Sequence, residues 1–281
     1  MSATVTALKQ LSKPSLSRRL MEQALLPHIL LGMPQLASSG LSETWLMKEL
    51  GHRHWYLLAM SMGMHNADFR DEKNRPVYAA ICATSLRSTR LHEARADDIL
   101  EIRSLPYSLS RTKALSRHML LLNGEPAGQV ELISTFVVRQ DGKDNNSIGR
   151  VRLDSFDLPT INDCALVDLH RSLRNGQPGA HLDIPFQQEW VPVRQFTPSL
   201  VEDFNGAGLF YFTYFQSLIT RSCDDTALSM ASKSMRRDMF FLGNINAGDS
   251  VTVERAGSSR IHRLVRCDGK VIAVSFFRQD A

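Results

Sequence analysis

Two distant stretches of the chain carry the same series of strand and turn signals. In the first, the turn pair Asn123-Gly124 precedes the alternating segment Gln129–Phe136, and in the second, Asp268-Gly269 precedes Val271–Phe277. Asn-Gly and Asp-Gly are strong signals for a hairpin, and a period of two gives each strand one buried face. Further strands are predicted before these turns, at Ala96–Ile102 and Ala247–Val253. The repeat predicts two copies of one antiparallel unit.

A helix is predicted ahead of each repeated sheet, over Gly40–Leu50 and over Gly208–Arg221. The second segment is apolar on nearly every side, so a helix there has to be enclosed by other structure. A curved antiparallel sheet around one central helix encloses it with few elements. The predicted fold is therefore α+β, a double hot-dog in which two antiparallel sheets each wrap around a central helix.

The repeat divides the chain into four predicted parts. They are an N-terminal extension at 1–30, a first hot-dog at 31–140, a linker at 141–185 and a second hot-dog at 186–281. The polar turn cluster Asp141–Ser147 marks the beginning of the linker. A short helix is predicted near Ala165–Arg174 within it.

Composition excludes several classes of protein. Apolar residues make up 43% of the 281 residues and charged residues 22%, which is typical of a globular chain. The net charge of +4 comes from Lys and Arg spread along the chain, too diffuse to indicate nucleic-acid binding. No apolar run approaches the roughly 18 residues that cross a bilayer, so no membrane partner is expected.

The four cysteines lie far apart and form no C-x-x-C or Cys/His spacing typical of metal ligands; they are Cys82, Cys164, Cys223 and Cys267. We therefore expect no metal site, buried structural thiols and a cytoplasmic location.

The segment Asn205–Tyr214 places glycines directly before an apolar and aromatic run. Glycines leave backbone N–H groups accessible at a helix N-terminus, where they can stabilise negative charge on a thioester carbonyl. The segment resembles the head of the central helix in hot-dog thioesterases, where an Asp precedes a glycine by three residues and a Tyr by six. Here Asn205 takes the place of that Asp, ahead of Gly208 and Tyr211.

An asparagine changes the chemistry that this position can perform. An amide is not a base at neutral pH, so Asn205 can neither attack a thioester nor activate water, which disfavours simple hydrolysis. Asp203 could supply a carboxylate if the loop turned inward. Asn205 could instead orient a carbonyl oxygen while the Gly208 N–H completes an oxyanion site. The alternative is that Asn205 only caps the helix.

A basic cluster follows the second predicted helix, at Lys233, Arg236 and Arg237. Guanidinium groups suit phosphate, so the cluster could bind the phosphates of coenzyme A or an acidic carrier protein. The alternative is a solvated strand edge. No nucleotide-binding, zinc-protease or serine-hydrolase motif accompanies it.

Four segments together resemble the leinamycin-type bifunctional acyltransferase/decarboxylase family and its relatives in bacterial biosynthetic clusters. They are Gly40–Trp55, Val77–Ala80, Glu131–Val137 and Asn205–Phe212. The resemblance implies a double hot-dog enzyme that moves a malonyl-type acyl group from coenzyme A through a tyrosine to the phosphopantetheine thiol of an acyl carrier protein, with decarboxylation. No further cofactor is expected, because an oxyanion site can stabilise the thioester enolate while an apolar pocket desolvates the leaving carboxylate.

Tyr78 is the preferred acyl-carrying tyrosine, because it begins a strand directly after the charged loop Arg70–Pro76. Tyr56 is the second candidate, whereas Tyr211 and Tyr214 are interpreted as core residues. A phenol needs a nearby cation or oriented donors to attack a thioester. His52, His54 and the arginines at 70–75 are the candidate sources.

The predicted function is acyl transfer between acyl-CoA and an acyl carrier protein in polyketide-type secondary metabolism. A thioesterase or dehydratase acting on carrier-bound chains is the alternative enzyme. A non-catalytic module that binds an acyl chain or a carrier protein is the alternative from another class. The sequence leaves assembly as a homodimer open.

Overall fold

The computed structural model describes residues 14–110, 112–142, 144–151, 158–161, 164, 166, 169, 175–177, 179–184, 189–223, 234–257 and 260–279. Its three helices of at least nine residues are α1 (Leu16–Ala24), α2 (Glu43–Ser61) and α3 (Phe212–Ser222). Short 3₁₀ turns occur at Met33–Gln35, Leu91–Glu93 and Ala180–Leu182. No helix in these ranges is both long and apolar enough to cross a membrane.

Thirteen strands are found in the described ranges. They are β1 (His28–Leu30), β2 (Leu36–Ala37), β3 (Gly40–Leu41), β4 (Tyr78–Ser88), β5 (Ile99–Ser110), β6 (Lys113–Leu122), β7 (Glu125–Arg139), β8 (Ile148–Arg150), β9 (Trp190–Phe196), β10 (Met235–Phe241), β11 (Val251–Ala256), β12 (Ile261–Arg266) and β13 (Val271–Gln279).

Eleven of these strands form one antiparallel sheet. Its order is β1-β5-β6-β7-β4-β10-β13-β12-β11-β9, with β8 paired to β7, and β2 and β3 form a separate pair. In chain order each half consists of an edge strand, a helix and four strands, namely β1, α2 and β4 to β7, then β9, α3 and β10 to β13. In both halves the last strand pairs with the first of the four. The predicted repeat is therefore present, and β4 pairs with β10 to join the two halves.

The Asn-Gly turn explains the register of its hairpin. Asn123 and Gly124 have φ values of 51° and 87°, the left-handed pair that a tight hairpin turn with the right twist requires. Leu122 then faces Glu125 across β6 and β7. The Asp268-Gly269 turn likewise connects β12 and β13, with Gly269 at φ 82°.

Apolar residues fill both faces of the sheet. The larger cluster packs the sheet against α2 and α3, with Leu46, Leu50 and Phe215 among its buried members. A second cluster lies on the other side and includes Leu166 and Leu182, from the segment predicted as a linker. That segment therefore packs on the sheet. Most of the helix predicted near 165–174 lies outside the described residues.

Both central helices differ in extent from the prediction. Helix α2 begins after Ser42, whose hydroxyl accepts a hydrogen bond from the Trp45 N–H, and continues to Ser61. The segment containing His52, His54 and Tyr56 is therefore helical, although the predicted helix ended at Leu50. Helix α3 begins at Phe212, because Gly208 has φ 69° and belongs to a turn.

Candidate functional site

A cavity of about 710 Å³ lies where the two halves meet. Its walls come from α2 near Gly51, from the first residues of β4, from the segment that precedes α3, and from the end of β10. The aromatic side chains in the wall are Trp55, Tyr78, Phe210, Tyr211, Phe212, Phe215 and Phe241. Each half thus contributes part of a mainly apolar chamber that could hold an acyl chain.

Tyr78, the preferred acyl-carrying tyrosine of the sequence analysis, lies in this cavity wall. It is the first residue of β4 and pairs with Val137 of β7. The charged loop before it is closed by a bridge between Arg70 and Pro76. Arg75 of that loop binds Asp71 at 2.7 Å. Arg70 contacts Asp68, two residues before the loop, at 2.8 Å. Both guanidinium groups of the loop therefore bind nearby carboxylates.

Tyr56 lies on α2 and is not among the residues that line the cavity. Its ring contacts the His52 ring, with centroids 4.2 Å apart. His52 does line the cavity, and partial burial lowers the pKa of its imidazole. The structure thus brings His52, rather than Tyr56, to the same chamber as Tyr78.

His54 faces the sheet and is fully buried. Its Nδ1 lies 2.7 Å from Ser116 Oγ, and its Nε2 lies 2.7 Å from Ser134 Oγ. Burial lowers the pKa of His54 to about 3, so the ring is neutral at physiological pH. His54 therefore supplies no positive charge to a phenol and lies outside the cavity wall. Its position indicates a role in attaching α2 to the sheet.

Asn205 lies in the cavity wall and shapes the turn that follows it. Its Oδ1 accepts hydrogen bonds from the N–H groups of Ala207 (3.0 Å) and Leu209 (3.1 Å). Its carbonyl oxygen accepts the Gly208 N–H at 2.8 Å. The predicted oxyanion donor at Gly208 is thus already used within the turn. Asn205 caps its own turn rather than the helix, since α3 begins only at Phe212.

Other donors remain beside this turn. The backbone N–H of Gly206, which lies in the cavity wall, has no acceptor among the described residues. The Nδ2 of Asn205 likewise makes no hydrogen bond within the described part of the chain. Asp203 is directed elsewhere: its Oδ2 accepts the Ser199 N–H at 2.8 Å, and it does not line the cavity. The carboxylate that hydrolysis would need is therefore held away from the chamber.

Tyr211 was predicted to be core, and the structure places it in the cavity wall. Burial, with a smaller contribution from Tyr214, raises the pKa of Tyr211 to about 12. The phenol stays protonated and can donate a hydrogen bond. Gly51 of α2 makes room for this ring: a Cβ there would lie 3.0 Å from the Tyr211 hydroxyl and 2.8 Å from the Phe212 ring.

The predicted phosphate cluster is part of the internal structure. The buried Arg237 side chain donates to Glu43 Oε2 of α2 at 2.8 Å, and its guanidinium lies over the Phe277 ring. Arg236 contacts the buried Asp238 carboxylate at 2.7 Å. Interior carboxylates therefore neutralise both guanidinium groups, and the geometry contradicts a phosphate-binding role for them. Lys233 lies outside the described residues.

Three other basic residues line the cavity: Arg150, Arg266 and Lys270. Arg150 and Lys270 are exposed, whereas Arg266 is buried and pairs with Asp268. Arg150 is on β8, Arg266 ends β12 and Lys270 follows the next turn, so these residues form no basic cluster along the chain that the sequence analysis could have found. Within the described residues, no group of three or more His, Cys, Asp or Glu side chains could hold a metal ion.

The solved structures that are similar to this chain include two thioesterases. An acyl-ACP thioesterase from Bacteroides thetaiotaomicron is 10% identical, with a TM-score of 0.59 covering 92% of this chain and 99% of that one. The 12:0-ACP thioesterase from Umbellularia californica is also 10% identical, with a TM-score of 0.57 covering 90% and 96%. This chain has a double hot-dog fold. At such identities the likeness concerns the fold alone.

Neither the models of known protein families nor the curated protein sequences match this chain. The resemblance to the leinamycin-type enzymes thus remains a prediction from the four sequence segments.

Proposed function

We propose that this double hot-dog acts on acyl thioesters and transfers a malonyl-type acyl group from coenzyme A to the phosphopantetheine thiol of an acyl carrier protein. The observation that supports this best is the shared cavity. Tyr78 of the first half and the Asn205–Tyr211 turn of the second half line the same chamber. A nucleophile and oxyanion donors in one chamber are the minimum for acyl transfer.

In the proposed first step, Tyr78 Oη attacks the thioester carbonyl carbon. The C–S bond breaks, coenzyme A leaves as the thiol, and the phenol proton passes to the leaving sulfur through His52. The neutral imidazole of His52 suits this role, since partial burial lowers its pKa. In the second step, the carrier thiol attacks the tyrosyl ester, the C–O bond breaks and Tyr78 recovers its proton.

Decarboxylation uses the oxyanion donors of the Asn205–Tyr211 turn. When the bond to the carboxyl carbon breaks, CO₂ leaves and the electron pair forms an enolate on the thioester oxygen. The protonated Tyr211 hydroxyl, the Gly206 N–H and Asn205 Nδ2 are the proposed donors to that oxygen. Phenylalanines 210, 212, 215 and 241 exclude water from the carboxylate before it leaves. A proton from solvent then completes the new acyl group.

Transfer is favoured over hydrolysis by the residues in the cavity wall. Among the described residues, the wall contains amide, phenol, imidazole and basic side chains but no carboxylate. A hot-dog hydrolase needs a carboxylate to attack the thioester or activate water. The exposed basic side chains of Arg150 and Lys270 give the chamber a potential that suits the negatively charged carboxylate of a malonyl group.

The test is to find the acyl group on the protein. Protein mixed briefly with malonyl-CoA or methylmalonyl-CoA and then quenched should carry an adduct on the peptide that contains Tyr78, detected by mass spectrometry. Tyr78→Phe should keep the fold and lose the adduct. Tyr56→Phe is the matched control, because Tyr56 lies outside the cavity wall, and it should keep the adduct. Full transfer by Tyr78→Phe without any adduct would rule out the covalent route.

Hydrolysis of carrier-bound acyl chains is the second candidate function. It is supported by the names of the structural neighbours, which are acyl-ACP and 12:0-ACP thioesterases. The two functions give different products from one incubation with acyl-CoA and holo-carrier protein. Transfer produces acyl-carrier protein, detected as an intact mass, whereas hydrolysis produces free acid and leaves the carrier unloaded.

A further inference from the structure

Asn145 lies in a wall shared by two cavities. The second cavity, of about 610 Å³, lies on the other side of the turn that follows Asn205. Asn145, Gly206 and Ala207 line both cavities. Asn145 is only 4% exposed, although it comes from the polar segment 141–147 that the sequence predicts to be a turn. This buried amide is therefore placed to bind a ligand in either cavity.

The orientation of the Asn145 amide is fixed by its neighbours. Its Nδ2 donates to the carbonyl oxygens of Gly208 (2.7 Å) and Ile245 (2.8 Å). Carbonyl oxygens can only accept, so the nitrogen must face them and the oxygen must face away. This Oδ1 is buried and has no donor among the described residues. Since buried polar atoms are nearly always paired, an acceptor left in this state indicates a missing donor.

A second unpaired atom borders the same cavity. Arg139 Nη2 donates to the Ala207 carbonyl at 2.5 Å, but its Nε is buried without an acceptor in the described part of the structure. Arg139 and Asn145 both line the second cavity. The residues of this wall therefore carry one buried donor, the Arg139 Nε–H, and one buried acceptor, Asn145 Oδ1, that have no partner among the described residues. A secondary amide offers the complementary pair, a carbonyl oxygen and an N–H.

The chemistry of a malonyl thioester identifies which part of it could pair with these atoms. Its thioester carbonyl and its carboxylate only accept hydrogen bonds, so neither can satisfy Asn145 Oδ1. The pantetheine arm, in contrast, has two secondary amides, each with an N–H and a carbonyl. On the basis of the function proposed above, we infer that Asn145 Oδ1 and Arg139 Nε bind one amide of the pantetheine arm and so position the thioester beside the Asn205 turn.

The inference is tested by binding, which needs no turnover. The probes are S-acetonyl-pantetheine, a thioether that cannot be hydrolysed or transferred, and two analogues in which one or the other amide nitrogen is methylated. Titration calorimetry with the full chain should show that methylation of one of the two amides weakens binding to the wild type by roughly 5- to 100-fold, the range for one buried hydrogen bond. In Asn145→Ala the same methylation should change the affinity less than 3-fold.

The ratio between probes separates recognition from structural damage. A purely structural Asn145 would make Asn145→Ala weaken all three probes equally, so that the methylation factor stays as in the wild type; this would overturn the inference. Asp144→Ala is the matched control, because it removes the oxygen that accepts the hydrogen bond from Asn246 Nδ2 in the same turn and leaves the Asn145 side chain in place. Its methylation factor should equal that of the wild type.

Arg139 provides an independent variant if Asn145→Ala does not fold. Replacing the carbonyl of the bound amide by a thiocarbonyl, a weaker acceptor that keeps the group neutral and its N–H in place, should weaken wild-type binding and change the affinity of Arg139→Met much less. Equal sensitivity of wild type and Arg139→Met, no effect of methylation at either amide, or no binding of S-acetonyl-pantetheine to the wild type would each contradict the inference. Failure of the proposed function is distinguishable: the protein would then bind the probe with the expected ratios yet transfer no acyl group.

Discussion

At the scale of single residues, Asn205 has two roles, holding its turn and donating to a substrate oxygen, and one substitution can separate them. Its Oδ1 holds the turn through the N–H groups of Ala207 and Leu209, while its Nδ2 remains available to a substrate oxygen. Asp at this position would keep the acceptor and lose the donor. The sequence suggested helix capping and substrate orientation as alternatives; in the structure Asn205 caps its own turn instead of the helix, and its Nδ2 is left for orientation of a substrate.

We expect Asn205→Asp to retain the stability of the wild type but to lower acyl transfer by roughly 10- to 1000-fold, the range for losing one oxyanion donor. Asn205→Ala should lower both, since it also removes the acceptor for two N–H groups. Urea unfolding and single-turnover transfer assays measure the two effects. If Asn205→Asp turned over as fast as the wild type, Asn205 would only hold the turn and would not donate to the substrate. New hydrolysis by this variant would show that the turn retains thioesterase geometry.

Gly51 shows why one residue could mislead the sequence analysis. Glycine is a poor helix former, which favours ending the first helix before it. Gly51 nevertheless lies inside α2. A larger residue would not fit there, because its Cβ would lie 2.8 Å from the Phe212 ring. The reason for this glycine is thus a contact with a residue far along the chain, which no local pattern contains.

At the scale of elements, buried polar contacts attach both central helices to the sheet. Arg237 of β10 binds Glu43 in the first turn of α2 and lies 3.3 Å from Thr220 Oγ1 of α3. Breaking a buried ion pair by removing one partner leaves the other charge uncompensated. Burial already raises the pKa of Glu43, and Arg237 opposes that shift.

Arg237→Ala should therefore lower the free energy of unfolding by about 3–5 kcal/mol. Lys270→Ala is the comparison, because Lys270 is exposed at the cavity and its side chain forms no ion pair with any described residue. It should leave stability unchanged and raise the apparent KM for malonyl-CoA. Denaturant unfolding and steady-state kinetics on both variants check this. A stable Arg237→Ala with a raised KM would restore the phosphate-binding role predicted from the sequence.

Helix α2 also makes stability depend on pH through His54. Its folded pKa is about 3, below the value near 6.5 of an unfolded histidine, so the unfolded chain binds the extra proton between these values. The contribution of neutral His54 to the free energy of unfolding is therefore fully present above pH 6.5 and is lost as the pH falls towards 3. The adjacent His118 is buried too, and its pKa is lowered in the same direction.

We expect His54→Gln to have a shallower pH dependence of stability than the wild type. One histidine with this shift should account for about 2 kcal/mol of the stability lost between pH 7 and pH 5. Urea unfolding of both proteins at the two pH values gives this difference directly. Equal losses in wild type and variant would mean that His54 is accessible to protons in the folded state.

At the scale of the whole molecule, the sequence could predict the repeat but not the site. Hairpin turns and alternating strands are local patterns, and they predicted the double hot-dog correctly. The cavity instead combines Tyr78, Gly51, Asn145 and the Asn205 turn, whose proximity follows from the pairing of β4 with β10. Asn145 illustrates the limit: in the sequence it belongs to a polar turn, and only its docking against Gly208 and Ile245 buries it.

The shared sheet makes a further prediction about how the molecule unfolds. The two halves pair along β4 and β10, and the turn at Asp144–Asn146 binds Asn246 and Arg266 of the second half. A single sheet with side-chain contacts between its halves should unfold as one cooperative unit. The natural tryptophans can report on each half, because Trp45 and Trp55 are on α2 and Trp190 is on β9.

In Trp190→Phe the fluorescence reports the first half, and in the double variant Trp45→Phe/Trp55→Phe it reports the second. Within each variant, we expect the fluorescence and far-UV circular dichroism midpoints in urea to coincide, because neither half can lose its strands without exposing the edge of the other. Comparing probes within one protein cancels any stability change caused by the substitution. A Trp190 transition at lower urea than the circular dichroism midpoint would show that the second half unfolds alone and that the β4–β10 pairing does not couple the two.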